Sequence, residues 1–367
     1  MDSIVDIILI LFVIEIIATL GFISFIYAYK VYRSLTKGDK EILREDVEKI
    51  LLFRSAENSA LSKNDYKVLS RDALITLKVA EHLNYKNQEL IQHVFLMKMR
   101  VLYNSKNMLN RYTAAKLFLY HYEKTDADKV IRLIKDPAIF ISVPAARVGF
   151  KFSCAQLINE AINVFYKFRR LQKSVLSSIA ENAPESSRII VIERLLMEED
   201  AYVKCFCYAI MMHFPPAESL SEKLTRIVKT LTTQVLPPFH IIQHLSEAIP
   251  RDLDSNVLDL KLAALKYAGH NPGYYHFVPK YLNAPEWQLR AAAAKIVGNM
   301  HDVSESDALA SLLRDKEWWV RIRAAQSLVS LGRTGIQILK SQSPNIDKYA
   351  YEAANQALLD IHKDPSR

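Results

Sequence analysis

From Glu286 the chain reads Glu286-Trp287-Gln288-Leu289-Arg290-Ala291-Ala292-Ala293-Ala294, followed by Val297 and Met300. The same pattern returns at Glu317-Trp318-Trp319-Val320-Arg321-Ile322-Arg323-Ala324-Ala325, followed by Leu328 and Leu331. The shared form is E-W-x-[LV]-R-x-x-A-A-x-x-[VL]-x-x-[ML]. Recurrence at an interval of about thirty residues constrains a fold strongly, because each copy must be one supersecondary unit stacked on the next. The apolar positions fall three and four apart, which is helical spacing. Weaker copies lie upstream. Arg111-Tyr112-Thr113-Ala114-Ala115 with Phe118 keeps the basic residue and the paired alanines. Ile141–Ala146 keeps the alanines, and Val203–Cys207 with Met211 and Phe214 keeps the apolar-basic start. Ala263-Ala264 and Ala353-Ala354 flank the strong pair.

The pattern predicts an all-α chain. Only 8 glycines occur in 367 residues, and strand-like alternation is nearly absent. The small residues Ala293, Ala294, Ala324 and Ala325 let one helix approach another, while the apolar stripe faces its partner. Asp136-Pro137, Asp200, Pro285 and Asp315 stand just before these helices as caps or turn formers. A second helix completes each unit, as in Asp307–Leu313 and Thr334–Lys340. Pro215-Pro216, Pro237-Pro238 and Pro250 predict an irregular unit with long turns over 215–256.

Together these residues resemble HEAT repeats. Asp315–Gly332, with W-V-R-x-R-A-A-x-x-L-x-x-L-G, is similar to the bacterial HEAT-like units also found in phycobilin lyases. The resemblance is strongest over 283–342 and extends to about 105–362; units before 250 lack the Trp and often the Arg. It implies an α-solenoid of antiparallel helix pairs that binds other macromolecules along its surfaces. It implies no single activity. It also implies that the Arg of the pattern bonds turn carbonyls or an aspartate between repeats.

The other end of the chain is of a different kind. Residues 1–29 contain no Lys or Arg, and from Ile4 to Tyr29 they are almost wholly apolar, interrupted by Asp6 and Glu15. About 20 apolar residues in a helix span a bilayer core of roughly 30 Å. A cleaved signal peptide needs a basic n-region, a short apolar stretch and a small-residue cleavage site; Met1-Asp2-Ser3 and Phe25–Tyr29 supply none of these. The bases Lys30, Arg33, Lys37 and Lys40 follow the run. By the positive-inside rule, a single-pass helix at the inner (cytoplasmic) membrane is expected, N-terminus out and the large domain in the cytosol. The expected organisation is a short tail 1–3, a transmembrane helix 4–29, a basic juxtamembrane helical linker 30–64, the solenoid 65–362 and a tail 363–367. The linker bases suit anionic inner-leaflet lipid. Glu15, near the middle of the span, is a candidate for docking a membrane subunit.

Formal net charge is +8, and it rises to +11 once the three acids of residues 1–29 are set aside. The bases are dispersed, with Lys167, Arg169, Arg170 and Lys173 the densest group, so a solvated basic face is favoured over nucleic-acid binding. Cys154, Cys205 and Cys207 form no disulfide framework and fit a reducing compartment. Cys205-Phe206-Cys207 lacks metal-ligand spacing and reads as packing. His240, His244 and Glu247 share one helical face, but no H-E-x-x-H or fourth ligand accompanies them, so a polar ridge is the better reading. No phosphate loop, nucleophile elbow or kinase motif is present. No cofactor or metal is expected.

Trp318 and Trp319 with Arg290, Arg321 and Arg323 form the best-defined cluster. One Trp per unit, as with Trp287, is expected to pack between repeats. Adjacent Trp318 and Trp319 cannot both point inward, so one is expected beside the arginines as a binding anchor. Tyr274, Tyr275, His276 and Phe277 make a second aromatic group after Pro272-Gly273. The sequence therefore predicts a non-enzymatic membrane-anchored scaffold that holds a protein partner at the inner membrane, as in an accessory subunit of an envelope assembly such as polysaccharide synthesis. The alternative is a HEAT-like protein cradling nucleic acid in a basic concave groove.

Overall fold

The computed structural model describes residues 39–57, 59–83, 91–167, 173–180, 183–214 and 238–363. The expected transmembrane helix and Glu15 lie outside the described residues. Among the described residues there is no strand, and no helix is long and apolar enough to cross a membrane. The chain divides into two compact units, Met1–Lys129 and Val130–Arg367.

In the first unit, α1 covers 39–57, α2 Lys63–Leu69, α3 Ala73–His82, α4 Met97–Leu102 and α5 Met108–Tyr120. A π-turn, Ile91–Leu96, leads into α4. Val47 and Leu51, one turn apart on α1, are wholly buried. Ser62 and Asp65 close a capping box at the start of α2, each side chain taking a backbone N–H of the other. The same Asp65 receives Arg54 Nη2 at 2.8 Å. Asp126 is wholly buried and receives Arg100 Nη2 at 2.8 Å and Lys129 Nζ at 2.6 Å. Arg111, fourth residue of α5, donates from Nη1 to the Ser105 and Lys106 carbonyls at 2.9 and 3.0 Å.

Helix α6, Ala127–Ile134, carries the chain into the second unit. There follow α7 Ile139–Lys151, α8 Ala155–Phe165, α9 Lys173–Ala180, α10 Glu185–Met197 and α11 Ala201–Met211. Next come α12 Pro238–Leu253, α13 Leu258–His270, α14 Trp287–Asn299, α15 Ser306–Leu312, α16 Trp318–Ser330, α17 Arg333–Lys340 and α18 Lys348–Lys363. One layer is the row α7, α9, α11, α13, α14, α16, α18, each helix packed on the next. In the other layer α8, α10 and α12 pack in sequence. Between α13 and α14 the second-layer helix is replaced by two 3-10 turns, Pro272–Phe277 and Pro279–Asn283. Each turn opens with a proline, which fixes φ and withholds an N–H from α-helical bonding.

The repeat pattern explains the core. Ala145, Ala146, Ala264, Ala293, Ala294, Ala324 and Ala325 are buried without remainder. Caps fall where expected: Asp136, Asp200 and Asp315 accept the N–H of Ala138, Tyr202 and Glu317. Glycine sets the closest approach. A Cβ on Gly298 of α14 would lie 2.5 Å from Ser327 Oγ and 2.7 Å from Ser327 Cα on α16. Pro250 does not interrupt α12, contrary to the expected break. It stands in the last turn, where its missing N–H removes a single helical bond.

A basic residue at the fourth position of an inner helix ties successive repeats together. Lys204 of α11 bonds Asp252 Oδ1 at 2.7 Å, and Tyr208 one turn on donates to Asp252 Oδ2 at 2.9 Å. Lys261 of α13 meets Glu286 Oε1 at 2.9 Å. Arg290 of α14 forks onto Asp315, Nε to Oδ2 at 2.6 Å and Nη2 to Oδ1 at 2.8 Å. Its Nη1 donates to the Ala284 and Pro285 carbonyls at 2.8 and 2.9 Å.

Two outcomes are expected. Gly298→Ala should destabilise the chain by about 1–3 kcal/mol through overpacking against Ser327, read by urea denaturation. The second concerns acid. Burial alone would raise the Asp315 carboxyl, but hydrogen bonds from Arg290 and from the Glu317 N–H hold it below its ordinary value of 3.8. A depressed folded value means that this stabilisation is complete above the ordinary value and is lost as pH falls through the folded one. Asp315→Asn should therefore lower Tm at neutral pH and flatten its decline below about pH 4, measured by circular dichroism.

Candidate functional site

Helix α16 buries Val320, Ala324, Ala325 and Leu328. This stripe begins at the third residue, so the first two residues of the helix stand off it. Trp318 and Trp319 are each 52% exposed, with ring centroids 4.6 Å apart in an edge arrangement. The expectation that a Trp packs between the repeats here is corrected: both rings lie at the surface, because Val320 and Ala324 take the inward positions. Trp287 of α14, at the equivalent position, is half-buried.

The next inner helix, α18, presents Tyr349, 62% exposed. Arg321 Cζ lies 5.1 Å from the centre of the Tyr349 ring, within cation–π range. Arg321 Nη1 donates to the Asp315 and Lys316 carbonyls at 2.8 and 3.1 Å. Between the two helices lies a groove of about 430 Å³, lined by Trp318, Arg321 and Ile322 on one side and Tyr349, Glu352, Ala353 and Gln356 on the other. Glu352 Oε1 is 3.8 Å from Lys348 Nζ, and Gln356 donates to Asp360 at 3.0 Å.

The sequence-chosen arginines thus separate. Arg321 enters the groove with Trp318. Arg323 turns away to Gln326 at 2.9 Å. Arg290 is not a surface anchor: its Nε, Nη1 and Nη2 all donate inside the protein, because the acid one repeat on and the turn before its own helix converge on it. Tyr349 was not singled out by the pattern, since α18 lacks the Trp that marks its neighbours.

The remaining candidates carry little chemistry. His244 Nδ1 is 3.8 Å from Glu247 Oε2, both exposed on α12, and the His240 side chain lies outside the described residues. Among the described residues no group of His, Cys, Asp and Glu is placed to hold a metal. Cys154, Cys205 and Cys207 form no disulfide. Burial pushes the Cys205 and Cys207 thiols up to about 12, with Asp259, Asp252 and Asp200 adding to the shift at Cys205; neither is a thiolate at neutral pH. In the second aromatic group, Tyr275 donates to Asp302 Oδ2 at 2.8 Å and Tyr274 stacks near Tyr267, so both brace the 3-10 turns.

Comparison with known proteins agrees over the C-terminal repeats. Residues 276–359 match the family model of HEAT repeats. No curated protein sequence matches the chain. An engineered protein of solved structure aligns at 15% identity, covering 65% of this chain and 97% of its own, with a TM-score of 0.33. E. coli YibA aligns at 14% identity over 83% of this chain and 98% of its own, with a TM-score of 0.32. Human deoxyhypusine hydroxylase in complex with glycerol aligns at 11% identity over 90% and 99%, with a TM-score of 0.28. Alignments this loose do not identify a common fold.

The division between Trp319 and Arg290 is measurable. Trp319→Ala, at an exposed position, should change stability by no more than about 0.5 kcal/mol. Arg290→Met leaves Asp315 buried without its cation and should cost about 3–5 kcal/mol. Equal losses in denaturant titrations would contradict the assignment of surface and clamp.

Proposed function

We propose that this chain is a non-enzymatic scaffold whose helical repeats hold a protein partner, and that residues 4–29 anchor it in the inner (cytoplasmic) membrane with the repeats in the cytosol. The groove between α16 and α18 carries this reading: exposed aromatic rings beside an arginine are the composition of protein-binding hot spots. The repeat pattern supports it, since stacked helical repeats present extended surfaces suited to binding other proteins. Anchoring is supported by the apolar run from Ile4 to Tyr29 and by the bases Lys30, Arg33, Lys37 and Lys40 that follow it. Those bases suit anionic lipid. A role as accessory subunit of an envelope assembly, such as polysaccharide synthesis, is compatible with both features.

Nucleic acid is the weaker reading. A groove for a polyanion needs a row of free cations, whereas Arg100, Lys204 and Arg290 are committed to carboxylates within the protein.

Fractionation tests the anchor and crosslinking tests the scaffold. The full chain should resist extraction from membranes by alkaline carbonate, while a form lacking residues 1–30 should move to the soluble fraction. Crosslinking in intact membranes should recover defined protein partners from the full chain. A full chain that is freely soluble, or that crosslinks to nothing, sinks the corresponding half of the proposal.

A further inference from the structure

On α11, α13 and α14 the fourth-position cation is neutralised by an acid from the following repeat. Asp252 serves Lys204, Glu286 serves Lys261, and Asp315 serves Arg290. The interval that separates Lys261 from Glu286, and Arg290 from Asp315, falls from Arg321 on Ile346, which is 75% exposed. The neighbouring acid, Asp347, is occupied in capping the Ala350 N–H at 2.9 Å. Arg321 is therefore held at Nη1 by two carbonyls, with no carboxylate within ion-pair distance among the described residues. Its Cζ lies 5.1 Å from the centre of the Tyr349 ring, and its surroundings are the groove shared with Trp318 and Ile322.

We propose that this groove binds an acidic-apolar segment of a partner protein, whose Asp or Glu carboxylate pairs with Arg321 much as Asp315 pairs with Arg290. The proposal rests on the scaffold reading above and names the chemistry of its partner. A planar guanidinium offers a carboxylate parallel donors. The rings of Trp318 and Tyr349 offer a surface for the aliphatic or aromatic residue beside that acid. A volume of about 430 Å³ suits one or two such side chains. The other charged groups at the groove select against a polyanion. Glu352 stands on the opposite wall, and Lys348 on the same helix is its ion-pair partner. One uncompensated cation between apolar rings matches a lone carboxylate in an apolar sequence, not a phosphate backbone or a lipid surface.

The test is a random linear peptide library, displayed on phage and selected against the full chain. Selected peptides should share an Asp or Glu next to a bulky apolar residue. Changing that acid to its amide should weaken binding to the wild-type chain about tenfold, and should have no further effect on Arg321→Gln. This cycle separates the pairing from any general loss of structure. Tyr349→Ala, at an exposed position, should weaken the same peptides, while Lys266→Gln, an equal loss of charge at an exposed position of α13, should leave them within about twofold. Peptides without an acid, or peptides indifferent to Arg321→Gln, would overturn the groove assignment while leaving the scaffold reading to its own crosslinking test. Failure to enrich any peptide would also overturn it. So would equal weakening by Lys266→Gln, which would mark unspecific attraction to a basic surface.

Discussion

The stacking of α11, α13 and α14 depends on a cation placed one turn inside each of these helices and an acid that arrives from the next repeat. The buried charged residues among those described are Asp126, Lys204, Asp252 and Arg290; each is a member of an ion pair, Asp126 with Arg100 in the first unit and the others in the second. Removing two charges from water costs several kcal/mol per ion, and their attraction roughly returns it, so such pairs add little net stability. What they add is register. An Arg290 that must meet both Asp315 and the Ala284 carbonyl permits one placement of α14 against its neighbours. The alanines then pack because the helices are already aligned, and Gly298 allows the last fraction of approach.

Much of this was legible in the sequence. The paired alanines fell in the core, and the caps at Asp136, Asp200 and Asp315 stood where the turn chemistry put them. The expected second helices appeared at Ser306–Leu312 and Arg333–Lys340. The pattern failed where long-range partners decide the outcome. Lys204 looked like a degenerate copy of the repeat arginine, yet it is paired, through an acid forty-eight residues downstream. Tyr208 stands where the pattern wants alanine, and its hydroxyl makes the large ring acceptable by bonding the same acid.

The candidate site was half legible. Two adjacent tryptophans on one helix cannot share an inward face, and that reasoning reaches the surface correctly. It did not foresee that neither ring is needed inside, because Val320 alone fills the position. Nor does local sequence distinguish Arg290 from Arg321, which occupy identical places in the motif. The distinction lies in what stands one repeat further on, Asp315 in one case and Ile346 in the other. The same residue type is a clamp where its acid exists and an open valence where it does not.

The contact of Lys204 and Tyr208 with Asp252 has a further bearing on how this chain can vary. It joins α11 directly to the end of α12 through three side chains. Lys204 and Asp252 can therefore vary only together, since a change at either one alone strands the other as a buried, unmatched charge.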